Sequence, residues 1–584
     1  MTTEQRVFLA VVLMAAVLIL SQMIPLTRDA QAPPQTPTPS VSTPTPAPAP
    51  TPAPVPNAAA PTAPLMPSPA AASVRRPPQR LARVTTPLYD ASISSEGGKL
   101  QELTLKYRGE KPMIITGELG PSGLVISREG SATAQVVPME LSAEAITLGP
   151  GQPPQELVLN GTLEGLRVRE VLTFRSDSYT IEMQLHVENA TATTQRVAIA
   201  FPWSTRQAWH STPEKFAGQH PTEIVWESEG RVHRFESLCD VPRSNAEGPW
   251  IALDSKFYAA ALLPKSSDFR LVAQAEDRKV CEAKNEPNPV GRATIAVQAA
   301  ADLAPRQGWD GGLLVYAGPK EYERLRALGL QGTLNFGSFL IPQSWTGGQP
   351  LLPMAWLAVP ILLLMEWVYR HVGNYGLAII LLTVVSKVLF YPLTVKSMRS
   401  MKAMQALQPQ INALRNKYKS DPTRLQKETM ELYREHKVNP VGGCLPMLAQ
   451  VPVFYALYLA LDNAADLQGA PFLCFGHLPS WFPGLGAAPL WICDLAAHDP
   501  TYILPLLMGV TMFVQQRMTP VGGDPRQAKM MLIMPFFFTW MFFGLASGLV
   551  LYWTVSNVLQ IAQQWWMNRP PAPAAHEIRN GSRA

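Results

Sequence analysis

Charge is what this chain has little of. Asp, Glu, Lys and Arg make up 16% of its 584 residues, against about 25% in a typical soluble domain; the shortfall implies membrane segments. Cysteine is scarce too, with five in all, too few for a disulfide scaffold and without the paired spacing of a zinc site. The hydrophobic runs hold no Ser/His, paired-Asp or HExxH pattern, which argues against an intramembrane enzyme. No repeat relates one run to another, which weakens the case for a repeat-built transporter. No cofactor or metal is expected. The net charge of +5 decides little, because in a membrane protein the placement of basic residues carries the information.

What is present is 47% hydrophobic residue, much of it gathered into runs. Residues 7–24 are uncharged and long enough to span a bilayer. They read as an uncleaved anchor (1–28), with a cleaved signal peptide as the alternative, since Ala30-Gln31-Ala32 resembles a small-residue cleavage site. Residues 29–80 are mostly Pro, Ala and Thr, a composition that forms neither helix nor sheet ladder and suits an extended linker. Residues 81–335 change character, with brief alternating runs such as LQELTLKY (100–107) and YTIEMQLHVEN (179–189) between Gly, Pro, Asn and Ser. Many short strands of this kind predict an antiparallel β-sandwich. Trp203, Trp209, Trp226 and Trp250 read as its core, with a sugar-binding face as the alternative. Cys239 and Cys281 are disulfide candidates if this domain is exported.

Residues 336–373 read as a linker and an amphipathic helix (356–371) lying at the membrane interface, with a complete extra span as the alternative. Spans follow at 374–395, 439–462, 501–518, 530–546 and 547–567. The segment 396–438 carries ten basic residues against Asp421, Glu428, Glu431 and Glu435, which places it in the cytoplasm. The loop 463–500 has no Lys or Arg and belongs outside, so Cys474 and Cys493, which share it, are also disulfide candidates. The loop 519–529 and the basic tail 568–584 return to the cytoplasm. The predicted fold class is therefore a polytopic α-helical membrane protein of six spans, both termini inside, with an all-β sandwich domain in the periplasm.

Lys387 interrupts the second span (LAIILLTVVSKVLFYPLT). An ammonium at that depth costs about 2.5 to 3.5 kcal/mol on insertion scales, so such a residue usually faces a protein interior or a wet cavity. At about 1.5 Å per residue, Lys387 lies roughly 18 Å from one end of the span and 12 Å from the other, beyond the reach of its stem. Thr383 and Tyr391, four residues to either side, share its helix face. On the last span Trp553, Asn557, Gln560 and Gln564 follow a 4, 3, 4 spacing, with Ser556 beside them, and Gln450 sits in the third span. Polar stripes on three spans predict a shared hydrophilic concavity; hydrogen-bond glue between helices, at about 0.6 kcal/mol apiece, is the alternative. The cytoplasmic segment reads as an αα-hairpin split at Ser420-Asp421-Pro422, with Met398, Met401 and Met404 on its first helix as an adaptable apolar face.

Four stretches carry a resemblance: VVSKVLFYPLTVKSMRSMKAMQALQP (384–409), VNPVGGCLPMLAQVPVFYALY (438–458), DPTYILPLLMGVTMF (499–513) and SGLVLYWTVSN (547–557). Together they resemble the YidC family of membrane protein insertases over about residues 356–567, and the anchor, tether and β-domain resemble its Gram-negative form. The resemblance implies a five-helix insertase core with a groove open to cytoplasm and lipid but closed to the periplasm. It places Lys387 where the family has a basic groove residue, often arginine, and Thr383, Gln450 and Trp553 at other groove positions, Trp553 where many members have tyrosine. It further implies work with the Sec translocon and as a chaperone. The expected function is non-enzymatic insertion of nascent membrane proteins, with basic loops and tail meeting ribosome or anionic lipid and no specific nucleic acid sequence. The rival readings are a small-solute channel or transporter and an envelope scaffold acting through its β-domain.

Overall fold

The computed structural model describes residues 79–114, 123–128, 134–206, 223–235, 241–275, 292–337, 339, 352–419, 421–438, 445–477, 489–518 and 525–567. The expected anchor and linker, Trp209, and both Cys239 and Cys281 lie outside the described residues.

Alternation builds the β-domain. In Leu166–Phe174 the residues Leu166, Val168, Leu172 and Phe174 are buried while Arg167 and Arg169 face out, as a period of two requires. This strand pairs antiparallel with Gln155–Leu163 on one side and Thr180–Asn189 on the other. It belongs to a nine-stranded sheet that continues through Gly308–Pro319, Tyr258–Pro264 and Trp250–Asp254. A six-stranded sheet centred on Gln195–Arg206 and Arg292–Leu303 packs against it, and a five-stranded sheet begins the domain at Leu81–Thr85. The predicted sandwich is thus observed. Trp203, Trp226 and Trp250 are buried, Trp226 stacked on His233 and Phe235. They serve as core.

An ionic knot fastens the end of the domain. Arg234 donates to Asp254 at 2.9 Å and also pairs with Glu223, while Lys320 reaches the same Asp254 at 3.0 Å. Arg234 further donates to the carbonyls of Gly332 (3.1 Å) and Thr333 (2.8 Å). These bonds hold the turn that follows the short helix α1 (Tyr322–Ala327).

Among the described residues eight more α-helices follow: α2 (Ala355–Val372), α3 (Tyr375–Ala406), α4 (Gln408–Lys417), α5 (Pro422–Glu435), α6 (Leu445–Asn463), α7 (Ile503–Met518), α8 (Pro525–Phe542) and α9 (Ser547–Met567). Among the described residues, α2 and α3 are long and apolar enough to cross a membrane, and α8 contains a shorter apolar stretch. The breaks follow local chemistry. Gly373 takes the left-handed conformation that ends α2 (φ 72°), and the Asn374 side chain then accepts from the Leu377 amide at 3.1 Å to start α3. Asp421 caps α5 in the same way, with Pro422 in its first turn.

Two helices differ from expectation: α8 runs Pro525–Phe542 where the sequence predicts the fifth span at 530–546, and α3 is longer than expected. The second span continues past Val395 as a single helix to Ala406, about 48 Å at 1.5 Å per residue. Met398, Met401 and Met404 therefore stand on the extension of α3, and the antiparallel pair of short helices is α4 with α5.

Helix α2 packs on α3 and α6, α9 packs on α3 and α7, and α8 packs on α7. Where α7 meets α8, Gly509 lies so close to Thr539 that a Cβ would collide with it, the small-residue approach typical of membrane helices. Between α6 and α7 the strands Leu473–His477 and Pro489–Ile492 form a hairpin, and Cys474 and Cys493 are joined by a disulfide. The β-domain meets the helices at residues 462–468. There Tyr107 donates to Asp466 (2.8 Å), Lys256 to Asp462 (2.6 Å), and Tyr258 to Gln468.

Candidate functional site

The polar residues of α3, α6 and α9 converge. Lys387 is half-buried, and its Nζ donates to Oε1 of Gln560 on α9 at 3.2 Å. One position earlier on α3, the half-buried Ser386 donates to Thr383 O at 2.8 Å. The buried Tyr552 of α9 and the half-buried Gln450 of α6 add polar groups from the two other helices. Farther along α9, the buried Asn557 donates to Thr511 of α7 at 3.4 Å.

The site lacks an internal counter-ion. Within α3 and α6 to α9 the sequence has one carboxylate, Asp462, and it stands at the far end of α6 in an ion pair with Lys256 of the β-domain. The charge on Lys387 is therefore held by an amide oxygen, a neutral partner. An ion pair in low dielectric would bind the ammonium far more strongly, so the arrangement leaves the charge available to an anionic visitor.

The other expected residues divide. Thr383 is fully buried and donates to its own helix at Ile379 O (2.7 Å), which makes it a packing residue in this state. Trp553 turns away from Lys387 into an aromatic cluster, with Phe454 at 4.6 Å, Phe542 at 5.0 Å and Phe538 at 6.2 Å between ring centroids. Gln564 is buried on the same helix. Met398 is buried and Met401 and Met404 are half-buried at the far end of α3, where Lys402 donates to the Met567 carbonyl at 2.7 Å.

Sequence reasoning overlooked Ser386, Thr511 and Tyr552. A signal for Tyr552 was present: it stands four residues before Ser556 and eight before Gln560, on the same stripe.

Fold and site together define a β-sandwich joined to a bundle of apolar helices that holds a lysine among polar side chains. The 60Kd inner membrane protein family matches residues 367–574, and the YidC periplasmic domain family matches residues 81–346. A membrane protein insertase YidC from Syntrophus aciditrophicus (strain SB) is 34% identical over 597 residues, covering 97% of this chain and 99% of that protein. One from Geobacter sulfurreducens is 36% identical over 500 residues, covering 83% and 85%. The crystal structure of an active YidC insertase with its first transmembrane domain resolved aligns at 17% identity and a TM-score of 0.36, covering 84% of this chain and 93% of that one. The chain belongs to the YidC family of membrane protein insertases.

Proposed function

We propose that this protein inserts nascent inner-membrane proteins and helps them fold through a hydrophilic groove lined by α3, α6 and α9, alone or with the Sec translocon. The observation that carries the proposal is Lys387 held by Gln560, with no ion pair to a carboxylate among the described residues. A polar segment entering lipid leaves its backbone and side-chain groups unsatisfied, at several kcal/mol per group. Amides and hydroxyls at mid-depth lower that cost, and the ammonium attracts acidic residues of the entering segment. Gln560 is released as they arrive, so capture exchanges one hydrogen bond for an ion pair. The apolar span of the client then partitions sideways into lipid. No covalent step is required.

The topology that suits this work has six spans: the run 7–24, α3, α6, α7, α8 and α9. Helix α2 lies at the outer interface, with Trp356 and Trp367 exposed on it. The methionines on the extension of α3 would receive incoming segments, and the basic faces of α4 and α5 would meet ribosome or anionic lipid. The test is reconstitution. Lys387→Arg should keep insertion of clients with acidic periplasmic segments and Lys387→Ala should impair it; full activity of the alanine variant on every such client overturns the reading. A solute channel would instead conduct solute through vesicles holding the purified protein.

A further inference from the structure

The hairpin between α6 and α7 bridges the two helices that carry Lys387 and Gln560. On one side Phe472 packs its ring onto Gly376, in the first turn of α3, so closely that no side chain fits there. On the other side the first amides of α9 find their acceptors in the same segment: Ser547 N donates to Ala497 O at 2.7 Å and Gly548 N to Leu495 O at 2.9 Å. The Ser547 hydroxyl also reaches Ala497 O, at 2.8 Å. These amides lack partners within their own helix, so residues 495–497 act as the cap of α9. Asp499, buried, accepts from the Leu504 amide at 2.8 Å and ties the start of α7 to the same run.

Its two sides are joined by strand pairing and by one covalent bond. Phe472 N donates to Ile492 O at 3.0 Å, Leu495 N donates to Ala470 O at 3.1 Å, and the Cys474–Cys493 disulfide closes the hairpin between these bonds. Cys474 is solvent-exposed, while Ile492 and Leu495 beneath are buried. Gly376 stands 11 residues before Lys387 and Gly548 stands 12 before Gln560, so at about 1.5 Å per residue the strap grips both helices some 16 to 18 Å above the lysine–glutamine contact.

We propose that Cys474 and Cys493 are positioning residues for the groove: their disulfide clamps residues 470–474 to residues 492–497 across the outer ends of α3 and α9, holding Lys387 in register with Gln560. This rests on the groove reading above. Breaking the bond leaves the Phe472 side joined to the Leu495–Ala497 side by backbone hydrogen bonds alone, so the strap loosens between the two helices it touches.

The test compares the full chain in phosphatidylethanolamine–phosphatidylglycerol vesicles, oxidised and after a membrane-impermeant phosphine reductant, with the double variant Cys474→Ser, Cys493→Ser. Hydrogen exchange should quicken about tenfold in 375–387 and 547–560 in both reduced forms, beyond the hairpin itself. Insertion of a single-span client should slow several-fold while the β-domain keeps its protection. Exchange changes confined to 470–495, or insertion at the oxidised rate, overturn the proposal. Failure of the groove reading shows separately, as an indifferent Lys387→Ala variant in the oxidised protein.

Discussion

At the scale of single residues, the chain places two ionisable groups where water is scarce and treats them differently. Lys387 has an amide partner. Glu170, fully buried on the inner face of the β-domain, has no hydrogen-bond partner for either oxygen among the described residues, and burial pushes its carboxyl up to about 8. The folded domain thus keeps a proton that the unfolded chain gives up near an ordinary carboxylate value of about 4.3. Stability is therefore greatest at the acid end and falls as pH rises from there to about 8, by up to about 1.4 kcal/mol per pH unit. Thermal unfolding of the β-sheet signal at pH 5 and pH 8 should display that slope, and Glu170→Gln should flatten it. Lys387 was legible from the sequence, because a charge in an apolar run announces its cost. Glu170 was legible only in part: a period of two puts it on the face of Leu166, Val168, Leu172 and Phe174. Only the packed sheets show that neither of its oxygens finds a partner there.

At the scale of elements, breaks were legible where chemistry forces them. Gly373-Asn374, Asp421-Pro422 and the glycine-bearing stretch before Ser547 each end or start a helix where the sequence expects it. The end of α3 was not legible. Basic residues after Val395 mark where apolar surroundings stop, and nothing there requires the helix to stop as well; it continues to Ala406, beside the end of α9 that Lys402 grips. The sequence puts Tyr552 on the polar stripe but does not show which rings Trp553 meets. Adjacent aromatics on a helix differ by about 100° in direction, and the facing Phe454, Phe538 and Phe542 decide which one turns inward to the aromatic cluster. Between α7 and α8, Gly509→Leu should force the helices apart, because Thr539 occupies the space a side chain needs. Overpacking of this kind costs about 1 to 3 kcal/mol. The variant should melt earlier in detergent, whereas Val510→Leu beside it, on an exposed position, should not.

At the scale of the whole molecule, a sandwich is joined to a helical bundle through a hydrophobic cluster common to both and a set of polar bonds. Tyr107, Lys256 and Tyr258 grip residues 462–468, the stretch that leads into the disulfide hairpin. That joint stands at the end of α6, away from the Lys387–Gln560 contact. Removing residues 81–317 while keeping α1 should therefore leave insertion largely intact in vesicles; its complete loss from a correctly folded bundle would move the β-domain into the mechanism. The alternation of strands and the asymmetry of basic residues made this two-part plan legible in the sequence, while the joint depends on residues more than 200 positions apart that no local pattern connects.

The claim beneath all three scales is that an unpaired positive charge inside the helices receives the acidic part of a client. The most direct measurement is insertion by the purified protein alone, in vesicles, of one short single-span client made with and without acidic residues in its translocated segment. The account predicts that Lys387→Ala slows the acidic client by about tenfold, the equivalent of about 1.4 kcal/mol, and leaves the neutral client unchanged. Equal rates for both clients in both proteins would contradict it.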